Sequence, residues 1–208
     1  MTVYFIRHGE TELNRLHIVQ GSGMDSDLNN LGQAQSKAFF DAYQHIDFDL
    51  VVTSRLKRTH QTVHHFLQRD IPWHQTADIN EISWGIYEGT TSSPERKMAF
   101  MELLHQWRIG NLDAALPKGE SARELGERVI RFIDWLRGRE ERRILVATHG
   151  RTLRALVSHL KDIPLSDMDA INHLNTGCYV ARFEGDEIHF ELENDVSHLE
   201  AARLITNQ

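Results

Sequence analysis

Val3-Tyr4-Phe5-Ile6-Arg7-His8-Gly9-Glu10 is an apolar run of four that ends in an arginine, a histidine and a glycine. Uninterrupted apolar runs of this length suit strands buried on both faces of a parallel sheet. The polar residues then fall at the strand's carboxyl end, where open α/β sheets bind ligands. Two further runs repeat the arrangement. Val51-Val52-Thr53-Ser54 is followed by Arg55 and Arg58, and Ile144-Leu145-Val146-Ala147-Thr148 leads directly into His149-Gly150. If the three strands lie parallel and adjacent, His8, Arg58 and His149 converge. Arginines and histidines at strand ends and helix N-termini make a phosphate site.

Between these strands the periodicity turns helical. Residues 9–30, rich in Gly, Asn, Asp and Ser, read as a loop. Leu31, Ala34, Ala38 and Ala42 predict a helix over about 31–45. Ser54 is placed as the cap of the next helix, which buries Leu56, Val63, Phe66 and Leu67 and carries Arg58 in its first turn. Residues 83–120 are broken by Gly85, Gly89, Pro94, Gly110, Pro117 and Gly119 around a helix from about 95 to 108. That helix is expected to present Met98, Met101, Leu104 and either Trp107 or Leu103 on one face. Such a segment inside an α/β domain reads as a lid or substrate-binding insertion. Ser121 and Glu124 form a capping box ahead of the stripe Leu125, Val129, Phe132, Ile133 and Leu136, which Gly138 ends. A helix from Gly150 buries Leu153, Leu156, Val157 and Leu160, and residues 177–184 and 187–193 read as a hairpin. The expected fold is one α/β domain over residues 1–208: a three-layer sandwich with a mostly parallel central sheet and helices on both faces. The closing hairpin makes room for an antiparallel strand.

Composition narrows the partners. Hydrophobic residues make up 40% of the 208, enough for one sizeable core. With 23 basic and 30 acidic residues the net charge is −7, which argues against a general nucleic-acid or acidic-membrane binder. A positive field for phosphate must therefore be local. Cys178 is the one cysteine, so no internal disulfide forms, and its apolar neighbours make it a buried small hydrophobe rather than a catalytic thiol. No apolar stretch approaches membrane-spanning length, and no signal-peptide pattern opens the chain, so a cytoplasmic protein is expected. His60 and His64 are spaced as zinc ligands can be, but no glutamate base and no third ligand accompany them, so solvated helix positions are expected and no metal.

Taken in order, the motifs resemble the histidine phosphatase superfamily, the phosphoglycerate mutase-like proteins. The family's first motif is matched by Arg7-His8-Gly9-Glu10-Thr11 with Asn14 beyond it, and the second by Ser54-Arg55-Leu56-Lys57-Arg58 with Gln61-Thr62. The third is matched by Glu81, Gly85 and Tyr87-Glu88-Gly89, the fourth by Pro117-Lys118-Gly119-Glu120-Ser121, and the fifth by Thr148-His149-Gly150. Asn194-Asp195-Val196-Ser197-His198-Leu199 resembles the family's C-terminal segment.

The resemblance implies His8 as a nucleophile that becomes a phosphohistidine, with neutral imidazole favoured by the charges of Arg7 and Arg58. Arg7, Arg58 and His149 would hold the phosphoryl oxygens. Glu81 would protonate the leaving oxygen and then activate water. Gly9 and Gly150 would let backbone approach the phosphate, and Asn14, Gln20 and Gly21 complete the expected phosphate-binding set. Glu88 would support the lid and Glu120 a helix. No cofactor is required. Cofactor-dependent mutases of the family follow the acid with Arg-His-Tyr-Gly; here Glu81 is followed by Ile82-Ser83-Trp84-Gly85, and Tyr87-Glu88-Gly89 resembles the Trp-Glu-Gly of the broad phosphatase branch. A metal-independent phosphatase acting on a small phosphorylated metabolite is expected, with a phosphoglycerate mutase or a non-catalytic phospholigand-binding module as alternatives, and a homodimer is allowed for. Trp84 and the insertion residues Arg96, Lys97, Met98, Arg108 and Lys118 are expected near the substrate. Asp27-Leu28-Asn29, where the family has Pro-Leu-Thr, would add negative charge near the mouth.

Overall fold

The computed structural model describes residues 1–205. One six-stranded sheet is built from β1 (Thr2–Arg7), β2 (Leu50–Thr53), β3 (Trp73–Gln75), β4 (Arg143–Thr148), β5 (Cys178–Glu184) and β6 (Glu187–Asp195), in the order β3-β2-β4-β1-β5-β6. β1 to β4 are mutually parallel, β5 runs antiparallel to β1, and β6 closes the hairpin expected from the sequence.

Alternation along the strands fills both layers. Val3, Phe5, Leu50, Val52, Ile144 and Val146 enter one core, where they meet α6 (Ala122–Arg137) and α7 (Gly150–Leu160). Ile6, Val51, Leu145 and Ala147 enter the other, with Phe39 of α2 (Asn30–Tyr43) and Phe66. Side chains of successive strand residues point to opposite faces, so strands covered on both sides must be apolar throughout. Cys178 lies wholly buried in the second core, as its neighbours imply.

The register delivers the site. Arg7 pairs with Thr148 and Thr53 with Ala147, so the carboxyl ends of β1, β4 and β2 lie side by side. The His8 amide donates to Thr148 O at 2.9 Å, and Asn175 Nδ2 donates to His8 O at 2.8 Å, which pins the residue from both sides.

Several local expectations need correction. Residues 9–30 are not all loop: Thr11 and Asn14 form a capping box on the short helix α1 (Glu12–Arg15). Ser54 is not a helix cap, because the helix starts later, as α3 (Lys57–Thr62), after Leu56. That helix also breaks at Val63 before α4 (His64–Leu67). Thr62 Oγ1 donates back to Arg58 O at 2.6 Å, a bond that bends helices. In α5 (Pro94–Arg108) Leu103 and Trp107 face inward, whereas Met98 and Met101 are 64% and 60% exposed. Trp107 Nε1 donates to Ala114 O at 2.8 Å and its ring stacks on Trp84, which fixes that rotation of the helix. The capping box of Ser121 and Glu124 and the buried stripe of α6 stand as expected.

Candidate active site

His8 is 2% exposed, and its Nδ1 lies 2.7 Å from Gly9 O. A carbonyl only accepts, so Nδ1 carries the proton and Nε2 keeps its lone pair. The ring wall belongs to a cavity of about 170 Å³ lined by Arg7, His8, Asn14, Gln20, Glu81, Trp84, Gly150, Arg151 and His173. Burial, then the Arg58 and Arg7 charges, hold the His8 imidazolium well below its ordinary range. A neutral, tautomerically fixed imidazole with a free nitrogen on a cavity is a nucleophile.

Two amides aim donors at the same space. Asn14 Oδ1 accepts from the Thr11 amide at 3.2 Å and hydroxyl at 3.1 Å, and Gln20 Oε1 accepts from the hydroxyls of Thr11 and Ser26. With both carbonyl ends tied down, each NH₂ end is left for an anion. Arg7 Nη1 is held by His173, at 3.0 Å to its carbonyl and 3.2 Å to Nδ1, while its buried Nε has no partner among the described residues.

Glu81 is 8% exposed and sits across the N-terminus of α7. Its Oε1 accepts from the Thr152 amide and hydroxyl at 3.2 Å and from the Ile82 amide at 3.0 Å, and Oε2 accepts from the Arg151 amide at 3.2 Å. α7 has no side-chain cap of its own, and Glu81 supplies one from a distant loop.

Arg58 and His149 lie behind His8 rather than on the cavity wall. The His8 and His149 ring centres are 5.2 Å apart. Arg58 Nε donates to His149 Nδ1 at 3.1 Å, and its other nitrogens donate to Met24 O at 2.6 Å and Gly21 O at 3.3 Å. His149 therefore carries its proton on Nε2 and gives it to Ser54 Oγ at 2.8 Å. Burial first, then Arg58, keeps His149 neutral.

The expected glycines divide. Gly150 lines the cavity. Gly9 and Gly21 are instead required by close packing: a Cβ on Gly9 would sit 2.7 Å from Gly32 O, and one on Gly21 2.1 Å from Glu88 Oε1. The Gly9 amide is taken by Thr62 Oγ1 at 2.9 Å. Neither is among the residues that line the cavity, although each directly adjoins one that does, His8 and Gln20.

The insertion contributes less than expected. Trp84 does line the cavity, but Arg96 and Lys97 border a separate one of about 130 Å³ with His17, Tyr87 and Phe100. Met98, Arg108 and Lys118 are exposed and line neither cavity. Asp27 pairs with Lys57 and accepts from Gln61 Nε2 at 2.8 Å, so its charge is already engaged. Glu88 accepts from the Trp84 amide and the Gly23 amide, each at 2.8 Å, joining the insertion to the loop before α2. Glu120 pairs with Arg128 at 2.6 Å and steadies α6. His64 is exposed as expected, whereas His60 is half-buried with its Nε2 2.7 Å from Ser54 O. Arg151 and His173 escape the motif reading. The position directly after His149-Gly150, in the first turn of a helix opening at the sheet's carboxyl edge, was the available signal for Arg151; His173 has none in the linear sequence.

Residues 3–196 match the family described as the histidine phosphatase superfamily (branch 1). The chain belongs to that superfamily. A 2,3-bisphosphoglycerate-dependent phosphoglycerate mutase from Mesorhizobium japonicum is 33% identical over 171 residues, covering 76% of this chain and 81% of that one. The structure of Bacillus stearothermophilus YhfR superposes with a TM-score of 0.85 at 28% identity, covering 95% and 98% of the two chains. An alpha-ribazole phosphatase from Shigella flexneri superposes with a TM-score of 0.82 at 25% identity, covering 94% and 96%. Members of the superfamily with this fold thus include both phosphatases and mutases. Among the described residues no helix is long and apolar enough to cross a membrane.

Proposed function

We propose that this protein is a metal-independent phosphatase that hydrolyses a small phosphomonoester through a phosphohistidine on His8. The observation that carries the reading is the His8 tautomer, with Nδ1–H spent on Gly9 O and Nε2 free at the cavity wall. Nε2 attacks phosphorus, the N–P bond forms as the ester P–O bond breaks, and Glu81 gives its proton to the leaving alkoxide. Water then attacks the phosphohistidine, Glu81 takes the water's proton, and orthophosphate leaves. Arg7 and the Asn14 and Gln20 amides hold the phosphoryl oxygens. Arg58 and His149 join them by exchanging Met24, Gly21 and Ser54 for the phosphoryl group. From residues 83–120, Trp84 lies at the cavity wall and would contact the substrate. A cavity of about 170 Å³ falls below the ~300–1,000 Å³ of drug-sized sites, which favours a small metabolite.

The test is a phosphate-release screen over small phosphomonoesters in the presence of EDTA, with His8→Ala as the control. Release that survives EDTA and disappears in the variant is expected. Interconversion of 2- and 3-phosphoglycerate without release would replace hydrolase by mutase. Release that persists in His8→Ala would remove the phosphohistidine.

A further inference from the structure

Glu81 sits on irregular backbone, between single turns of 3₁₀ helix at Ala77–Ile79 and Gly85–Tyr87. No helix or strand fixes its carboxylate, and proton transfer tolerates little misplacement. What holds the segment comes from other elements. Arg128 of α6, 9% exposed, donates through Nε and Nη2 to Glu120 Oε1 and Oε2 at 2.6 and 3.0 Å, a bidentate fork. Its remaining terminal nitrogen, Nη1, donates to Asp78 O at 2.8 Å. Glu120 takes the other end of the segment. Its Oε2 accepts from the Ser83 amide at 3.3 Å, and its own amide donates to Ser83 O at 2.8 Å. One ion pair, away from the cavity lining, thus grips Asp78 and Ser83 on either side of Glu81. Between those grips the Thr148 and Thr152 hydroxyls donate to Ile79 O and Asn80 O at 2.9 and 2.7 Å.

We infer that Arg128, acting through Glu120 and the Asp78 carbonyl, is a positioning residue that sets where Glu81 presents its carboxylate. This rests on the proposed reading of Glu81 as the group that gives and takes the proton. Two carboxylate oxygens and one backbone carbonyl must be met at once, which a planar guanidinium does and a lysine ammonium does not. The clamp has a second consequence. The Arg151 and Thr152 amides lie in the first turn of α7, where no acceptor within the helix is in reach, and Glu81 is the group they meet. Whatever moves Glu81 therefore uncovers the start of α7.

Two readouts separate positioning from chemistry and from general loss of stability. The first is amide hydrogen exchange of Arg128→Met. The Ile82, Arg151 and Thr152 amides, which donate to Glu81, should lose protection several-fold, while amides in the middle of β4 keep theirs. The second is the proton-dependent step. A displacement of about 1 Å costs ~10²-fold; with Thr148 and Thr152 still in place, alkyl phosphate cleavage should slow by ~10-fold. Single-turnover release of p-nitrophenol from p-nitrophenyl phosphate, whose leaving group needs no proton, should be nearly unchanged. Arg128→Lys keeps a charge opposite Glu120 should Arg128→Met not fold, and should recover part of the loss. In a Glu81→Gln background, Arg128→Met should add no further loss on the alkyl ester. Unchanged protection at the Glu81-bound amides, equal losses on the two esters, or losses that add to those of Glu81→Gln overturn the inference. Protection lost at those amides in a protein that cleaves neither ester would support the clamp and overturn the hydrolase reading alone.

Discussion

His8 Nδ1 lies 2.7 Å from the carbonyl oxygen of Gly9, the residue that follows it. The bond settles which ring nitrogen is free, and burial with the Arg58 and Arg7 charges settles that it is unprotonated. Nitrogen NMR of labelled protein should show His8 as the Nδ1–H tautomer, with no titration between pH 7.5 and 5.5. Protonation near pH 6.5, the ordinary value, would mean that the ring is neither as buried nor as opposed by charge as described.

Arg58 connects the two histidines electrically. After burial, it is the largest cause of the low proton affinity of both His8 and His149. Arg58→Met should raise both titrations toward the ordinary range and move the acid limb of kcat/KM toward neutrality. Loss of its donors in the transition state should lower kcat by ~10²–10³-fold. An unchanged pH profile with a lower rate would confine Arg58 to phosphate binding.

Glu81→Gln keeps an oxygen for the Thr152 and Ile82 donors but cannot give or take the proton. On an alkyl phosphate kcat should fall ~10²–10⁴-fold. The pre-steady-state burst of p-nitrophenol from p-nitrophenyl phosphate, whose leaving group needs no proton, should be slowed much less, while turnover falls because water activation is lost. A burst slowed as much as alkyl phosphate cleavage would assign Glu81 to shaping α7 rather than to proton transfer. Because its carboxylate faces the N-terminus of α7, the variant should also lose ~0.3–1 kcal/mol of stability in denaturant titrations.

Thr11 orients Asn14 and Gln20 from outside the cavity lining. Thr11→Val removes one of the two donors on each amide oxygen, leaving the residue 11 amide on Asn14 and Ser26 on Gln20, so it should raise KM by a few-fold at most with a smaller effect on kcat, and cost ~1 kcal/mol as the cap of α1. Substrate-saturation curves would show the split; a fall in kcat alone would separate these amides from ground-state binding.

What the sequence made legible was whatever depends on local pattern. The apolar runs of β1, β2 and β4 cannot be satisfied except inside a sheet covered on both faces, and that places His8, Arg58 and His149 within one neighbourhood. Rotational and long-range choices were hidden. α5 turns Met98 and Met101 outward because Trp107 finds Ala114 and Trp84, contacts that no helical period encodes. Likewise, the motifs mark Gly9 and Gly21 as glycines, but the close packing of Gly32 and Glu88 against them comes from other segments. His173 reaches Arg7 across 166 residues of chain, with nothing in its own surroundings to mark it.

A buried histidine outside the cavity lining contributes to the loss of stability in acid. His198 is 4% exposed, its Nε2 lies 3.0 Å from Thr176 Oγ1 while Nδ1 has no partner among the described residues, and its ring packs edge-on against Phe39. Burial lowers its pKa to about 4. In the unfolded chain a histidine titrates near ~6.5. As pH falls from there toward 4, the unfolded state takes up a proton that the folded state refuses. Stability should therefore drop by up to ~1.4 kcal/mol per pH unit from this residue, with no further loss once the folded ring also protonates. His198→Phe removes the proton and keeps the ring packing, at a pH-independent cost of ~1 kcal/mol for the unpaired Thr176 hydroxyl. Urea titrations at pH 7.0, 6.0, 5.0 and 4.5 should show a shallower decline for the variant than for the wild type. Parallel declines would place the acid sensitivity in other groups, among them His8, His149, His159 and His173, whose titrations are also depressed by burial.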